Sequence, residues 1–184
     1  NVAGDGSSLR DQLLSTPGAV AILIRNVEHP ESESLLRNAM WALANLCRNK
    51  PLPSKDAVED VLAIFVRALH ESEDVELLPD VLWGLSYLTD ADPGRISAVV
   101  DNKACGPDTD VCKRMVEMLD LNESSVTMPA LRAVGNVCTG SDDQTQQVVA
   151  AGILPRLTKI LRHGKRNARR EACWMASNIA AGTK

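Results

Sequence analysis

Aromatic residues are scarce, at three tryptophans, one tyrosine and one phenylalanine in 184 residues. A core for a chain of this length therefore has to be built from Leu, Val, Ile and Ala. No run approaches the ~18 consecutive apolar residues that suggest a membrane span, and no segment has the layout of a signal peptide. The five cysteines show no CxxC spacing and no nearby histidine, which argues against a zinc site and against a disulfide framework. Reduced thiols in an intracellular compartment are expected, with Cys105 and Cys112 both reachable by reagents. An excess of basic charge is also missing. The formal net charge is -4 and the pI lies near 5.4, so a general nucleic-acid binder is not expected and a cationic partner is. A glycine-rich phosphate loop, a Ser-His-Asp candidate set and a metal-ligand cluster are likewise absent, which leaves no enzyme, metal or cofactor reading. His29, His70 and His163 sit in polar surroundings and are expected at helix ends or in loops. The chain opens on Asn1 rather than Met, as expected of a piece of a longer protein.

What is present is a repeat. The string W-A-L-A-N-L at Trp41 matches W-G-L-S-Y-L at Trp83, R-A-V-G-N-V at Arg132 and W-M-A-S-N-I at Trp174, at intervals of 42, 49 and 42 residues. The opening N-V-A-G-D-G matches the tail of the same unit. Further helical patterns lie between the anchors, at 56–69 and 153–161, with turn signals such as G-D-G and D-P-G between them. A period near 42 with about three helices per unit predicts an all-α armadillo or HEAT type solenoid; tetratricopeptide and ankyrin units, at ~33–34 residues, are too short. One continuous domain over 1–184 is expected, about four units plus a partial one. The seven extra residues between Trp83 and Arg132 are expected as a solvated insertion near 101–110.

The position of the aromatics carries the functional reading. Around each anchor the apolar residues, such as Ala39, Leu43 and Leu46 in the first unit, fall about 140–200° away on a helix. Trp41 instead shares a stripe with Arg37, Asn45 and Arg48. Four of the five aromatics, all but Phe65, stand at an anchor or four residues after it. With the core face already occupied, these side chains are placed for a ligand. An Asn carboxamide can hold a peptide unit through donor and acceptor together. Indole faces make slots for the aliphatic stems of Lys and Arg and attract their cations. Asp5, Asp80 and Glu171 are the carboxylates expected beside those slots.

The stretches N-V-A-G-D-G-S, L-R-N-A-M-W-A-L-A-N-L-C-R-N-K, L-W-G-L-S-Y-L-T-D, P-A-L-R-A-V-G-N-V-C-T-G and E-A-C-W-M-A-S-N-I-A-A-G together resemble importin-α, the adaptor of classical nuclear import. The resemblance implies a right-handed superhelical armadillo solenoid running from the end of the third repeat into the seventh. It implies a major site for nuclear localisation signals at Asn1, Gly4, Asp5, Trp41, Asn45, Asp80 and Trp83, with Arg48 bracing Asp80. It implies a linker and minor site at Tyr87, Arg132, Asn136, Thr139, Gly140, Thr145, Glu171, Trp174 and Asn178. Implied partners are cargo proteins with mono- or bipartite basic signals, and importin-β through a region outside this chain. No nucleic acid or membrane is implied, and the protein would shuttle between cytoplasm and nucleus. The 49-residue interval and Cys138, where the family pattern has Val, depart from it. An armadillo scaffold for acidic or other peptides is the alternative reading.

Overall fold

The computed structural model describes residues 2–121 and 123–182; Asn1, and with it one predicted site residue, lies outside the described residues, as does Asn122. Among the described residues there is no strand, and helices follow one another along the chain. The short α1 (Val2–Asp5) is followed by a unit of three helices, α2 (Ser7–Ser15), α3 (Ala19–Glu28) and α4 (Glu33–Cys47). The next unit has two, the long α5 (Lys55–Glu71) and α6 (Leu78–Thr89). The third holds α7 (Pro93–Val100), α8 (Val111–Glu117) continued by a 3-10 turn Met118–Leu121, and α9 (Ser124–Val137). The fourth holds α10 (Asp142–Ala150), α11 (Ile153–His163) and α12 (Arg166–Ala181).

Local chemistry starts these helices where the sequence allows. Ser32, Ser54, Asp92 and Asp110 each accept a hydrogen bond from a first-turn backbone N–H. Ser141 and Gln144 make a reciprocal capping box. The D-P-G string, a turn signal in the sequence, therefore opens a helix, with Asp92 as its cap and Pro93 in the first turn. Pro79 falls in the first turn of α6. Pro129 lies inside α9, which continues through it.

The four anchor helices stack in series, α4 on α6, α6 on α9 and α9 on α12. Their apolar stripes (Leu43 and Leu46, Leu82 and Leu85, Val134 and Val137, Ala172 and Met175) are buried in one continuous core. Small residues set the spacing. Phe65 of α5, fully buried, lies against Gly84, where an added Cβ would stand 2.5 Å from its ring. Every anchor helix therefore keeps one face in the core and turns another away from it.

The joint after α4 is held by two arginines. Arg10 is 1% exposed, and its guanidinium donates to the carbonyls of Arg48, Asn49 and Pro51 at 2.7–2.8 Å. Arg95, from α7, donates to the carbonyl of Pro53. Residues 101–110 carry no helix and are mostly exposed. They lie against α5, with the Cys105 thiol 3.7 Å from the Val66 carbonyl, and close on themselves through Lys103 Nζ to the Thr109 carbonyl. Cys105 is exposed, but Cys112 is buried in α8 and burial pushes its thiol up to about 12, which corrects the expectation that both are reachable. All five cysteines are free thiols.

Candidate functional site

The face that the anchor helices turn away from the core carries the tryptophan ladder. Trp41 is 42% exposed. It walls an apolar hollow of about 370 Å³ with Val2, Ala3, Ile22, Leu23 and Asn38. Gly4 and Asp5 belong to α1, which packs on α4, and Asp5 is exposed. On α6, Trp83 and Tyr87 are half-buried and stacked, with ring centroids 6.0 Å apart and planes at 21°. One turn before Trp83 stands Asp80. Its carboxyl is half-buried, makes no side-chain hydrogen bond or ion pair among the described residues, and burial raises it to about 6.

The absence of a partner at Asp80 corrects one expectation. Arg48 was to brace it, yet the two form no ion pair. Arg48 begins the loop after α4, is exposed, and lies where its charge favours ionisation of Tyr87. Burial nevertheless raises the phenol, and Asp80 adds to that rise. The cations that do bridge these units include Lys50, on Asp90 at 3.2 Å, and Arg37. Arg37 binds Asp74 at 3.1 Å and also Glu76. The Asp74 carboxyl is held below its ordinary value by the Glu76 backbone N–H first, and by Arg37.

The second half of the ladder is built differently. The Arg132 guanidinium lies 5.4 Å over the Trp174 ring and binds Glu171 at 2.9 Å. Glu171 is 4% exposed, and Arg170 approaches the same oxygen at 3.7 Å. Gly135 makes the arrangement possible, because a Cβ there would stand 2.6 Å from the indole. The chain's own arginine thus occupies the cation position on this tryptophan.

The amides are likewise partly engaged. Asn45 is buried and donates to the Trp41 carbonyl of its own helix at 3.0 Å. Asn136 is buried and donates to the Ser86 carbonyl at 2.8 Å, tying α9 to α6. Asn178 is half-buried and reaches toward the Gly135 carbonyl at 3.5 Å. Thr139 is exposed and donates to the Asn136 carbonyl. Thr145 is buried and donates to the Cys138 carbonyl at 3.5 Å. Gly140 sits against the Gln144 side chain, where a Cβ would collide.

Comparison with known proteins fits this geometry. The model of the armadillo/beta-catenin-like repeat matches residues 10–48 and 141–181. Importin subunit alpha-1a of Oryza sativa subsp. japonica is 42% identical over 98% of this chain, which spans 33% of that protein. The chain is an importin-α-like armadillo segment. Importin subunit alpha-3 of Arabidopsis thaliana is 40% identical over 90% of the chain and 30% of its own length. The importin-α-like chain thus spans about a third of the length of the curated relatives it matches. Among solved structures, a designed armadillo repeat protein in complex with peptide (KR)4 superposes with a TM-score of 0.84, at 23% identity, over 100% of this chain and 73% of the other. An engineered protein superposes with a TM-score of 0.82 at 25% identity, over 98% and 71%. The fold is an all-α armadillo solenoid.

Two features of the importin-α-like face were not found by sequence reasoning. One is the closure of Arg132 onto Trp174 and Glu171, residues 39 to 42 positions away. The other is the isolation of Asp80. The first had a signal in the cation standing at an anchor position; the second had none.

Proposed function

We propose that this face binds a lysine- or arginine-rich peptide in an extended conformation, and that the protein acts as a nuclear-import adaptor for cargo carrying such signals, shuttling between cytoplasm and nucleus. The observation that carries the reading is Asp80. A half-buried carboxyl without a cation, one turn from a stacked Trp83–Tyr87 pair, is the arrangement that a cationic side chain would complete. Trp41, 42% exposed, suits the stem of a second basic residue. The curated relatives named importin subunit alpha support the same assignment, and a peptide adaptor of this kind needs no catalytic group. Asn1, Gly4, Asp5, Asn45 and Arg48 would complete the first site. The linker and second site would comprise Tyr87, Arg132, Asn136, Thr139, Gly140, Thr145, Glu171, Trp174 and Asn178.

The test is a titration of a lysine-rich peptide and its charge-reversed control between pH 5 and 7.5. A bound cation favours ionised Asp80, so binding releases a proton wherever the free carboxyl is protonated. Affinity should rise with pH up to about 6 and then level. Asp80→Asn should weaken binding at pH 7.5 and flatten the profile. Stability follows the opposite sign. A carboxyl raised above its unfolded value destabilises the fold once ionised, so the free protein should gain stability as pH falls through about 6. Equal binding of the charge-reversed peptide would sink the proposal.

A further inference from the structure

The charge of the chain is unevenly placed. Residues 156–170 contain seven of the 20 lysines and arginines and none of the 24 acids. Lys165, Arg166, Arg169 and Arg170 are exposed at the start of α12, and Arg162 is exposed at the end of α11. Arg162, Arg166 and Arg169 have no acidic partner among the described residues. Lys165 reaches only the neutral hydroxyl of Ser124 at 3.4 Å. Arg170, 75% exposed, meets one carboxylate, Glu171 at 3.7 Å, and that carboxylate is already held by Arg132 at 2.9 Å. The corresponding rim of α4 is balanced, because Arg37 there is paired with Asp74, Glu76 and Glu33.

The unmatched cations adjoin the proposed peptide face. At 3.6 residues per turn, Arg166, Arg170 and Trp174 follow one another along a single stripe of α12. From this arrangement we infer that the rim formed by Lys165, Arg166 and Arg170 docks a run of aspartates or glutamates in the same cargo peptide whose basic cluster occupies the Trp41–Trp83 site. The inference rests on the peptide reading above. It identifies the occupant by charge complementarity. A short acidic run fits better than a nucleic acid or a lipid surface, because the rest of the chain carries 13 cations against all 24 acids and would repel an extended polyanion. The one indole beside the rim, Trp174, is already covered by Arg132 and is not free to stack a base. Two helix spacings of about 8–10 Å separate α6 from α12, so the acidic run should lie about six extended residues from the basic cluster.

The experiment uses the full protein and labelled peptides carrying one lysine-rich cluster, a six-residue neutral spacer, and a flank of either four glutamates or four serines, placed at either end. One of the glutamate peptides should bind about three- to tenfold more tightly than its serine counterpart. Arg166→Glu/Arg170→Glu should abolish that gain while leaving the serine peptides within about twofold and the melting transition unchanged. Arg162→Glu/Arg169→Glu, off the stripe, should retain the gain. A gain that is absent in the wild type, or that survives in Arg166→Glu/Arg170→Glu, overturns the inference. Tighter binding of a single-stranded oligonucleotide or of phosphatidylserine vesicles, lost in the same variant, also overturns it. Should the serine peptides fail to bind the wild type at all, the basic-peptide reading falls instead. A glutamate-only peptide, bound by the wild type and lost in Arg166→Glu/Arg170→Glu, would then sustain the rim, and its failure to bind would remove it.

Discussion

The two ends of the ladder share a motif and differ in state. Around α4 and α6, Trp41 stands exposed over a hollow and Asp80 lacks a counter-ion. Around α9 and α12, Trp174 is covered by Arg132 and Glu171 is buried in a salt bridge. An indole four residues before an asparagine therefore specifies where a slot lies, not whether it is vacant. At Trp174 the anchor of the preceding unit decides it, because Arg132 reaches across to the indole and to Glu171.

The comparison can be broken most directly by the open end. Trp41→Ala combined with Asp80→Lys should lower the affinity of a lysine-rich peptide by roughly 30-fold or more, the loss of a central aromatic contact plus a reversed charge. Glu171→Gln should change the same affinity by less than about twofold, because its charge is already spent on Arg132. Similar losses from both variants would mean that the ends are equivalent.

A second variant sharpens the difference. Arg132→Ala should uncover Trp174 and release Glu171 from its stronger partner, converting the filled slot to an open one. A peptide with two basic clusters should then gain about threefold over one with a single cluster, because linkage raises the effective concentration of the second. The same change should cost about 1 kcal/mol in urea unfolding, since Glu171 stays buried while the removed arginine was itself partly exposed. An unchanged ratio between the two peptides would show that Arg132 does not gate the slot.

The smallest effect is expected from Gly135→Ala. The added methyl displaces the outer edge of the Trp174 ring, so a shift in tryptophan fluorescence and a loss of about 1 kcal/mol in stability should follow. Binding of a single-cluster peptide at the open end should stay the same. A matching loss at that end would couple the two slots through α9.

The fold was legible because its signals are local. The repeat interval, the apolar stripe 140–200° from each anchor and the exposed Trp41 all follow from helical period and one-face burial. What was not legible depends on contacts between units. Arg10 sits in a polar string, S-S-L-R-D-Q, and nothing in its neighbours announces burial beneath carbonyls 38 to 41 residues on. Arg48 stands correctly on the stripe of Trp41, but α4 ends at Cys47 and the chain turns away at Arg48, so its charge never meets Asp80. Burial of Cys112 was missed for a similar reason. The insertion ends at Asp110, which caps α8 and turns the next residues into the core.

The buried guanidinium of Arg10 has a consequence for measurement along the face. An extended peptide has a fixed pitch, about 6.6–7 Å for every two residues, and a solenoid that reads it needs slots at a matching interval. That interval is set at the joints between units, where a small rotation is carried to every slot beyond. The joint separating Trp41 from Trp83 is held by Arg10 at the Arg48, Asn49 and Pro51 carbonyls and by Arg95 at the Pro53 carbonyl. On the peptide reading proposed above, these two side chains act as a gauge: bound to loop carbonyls, they calibrate the ruler against which a peptide's residues would be counted.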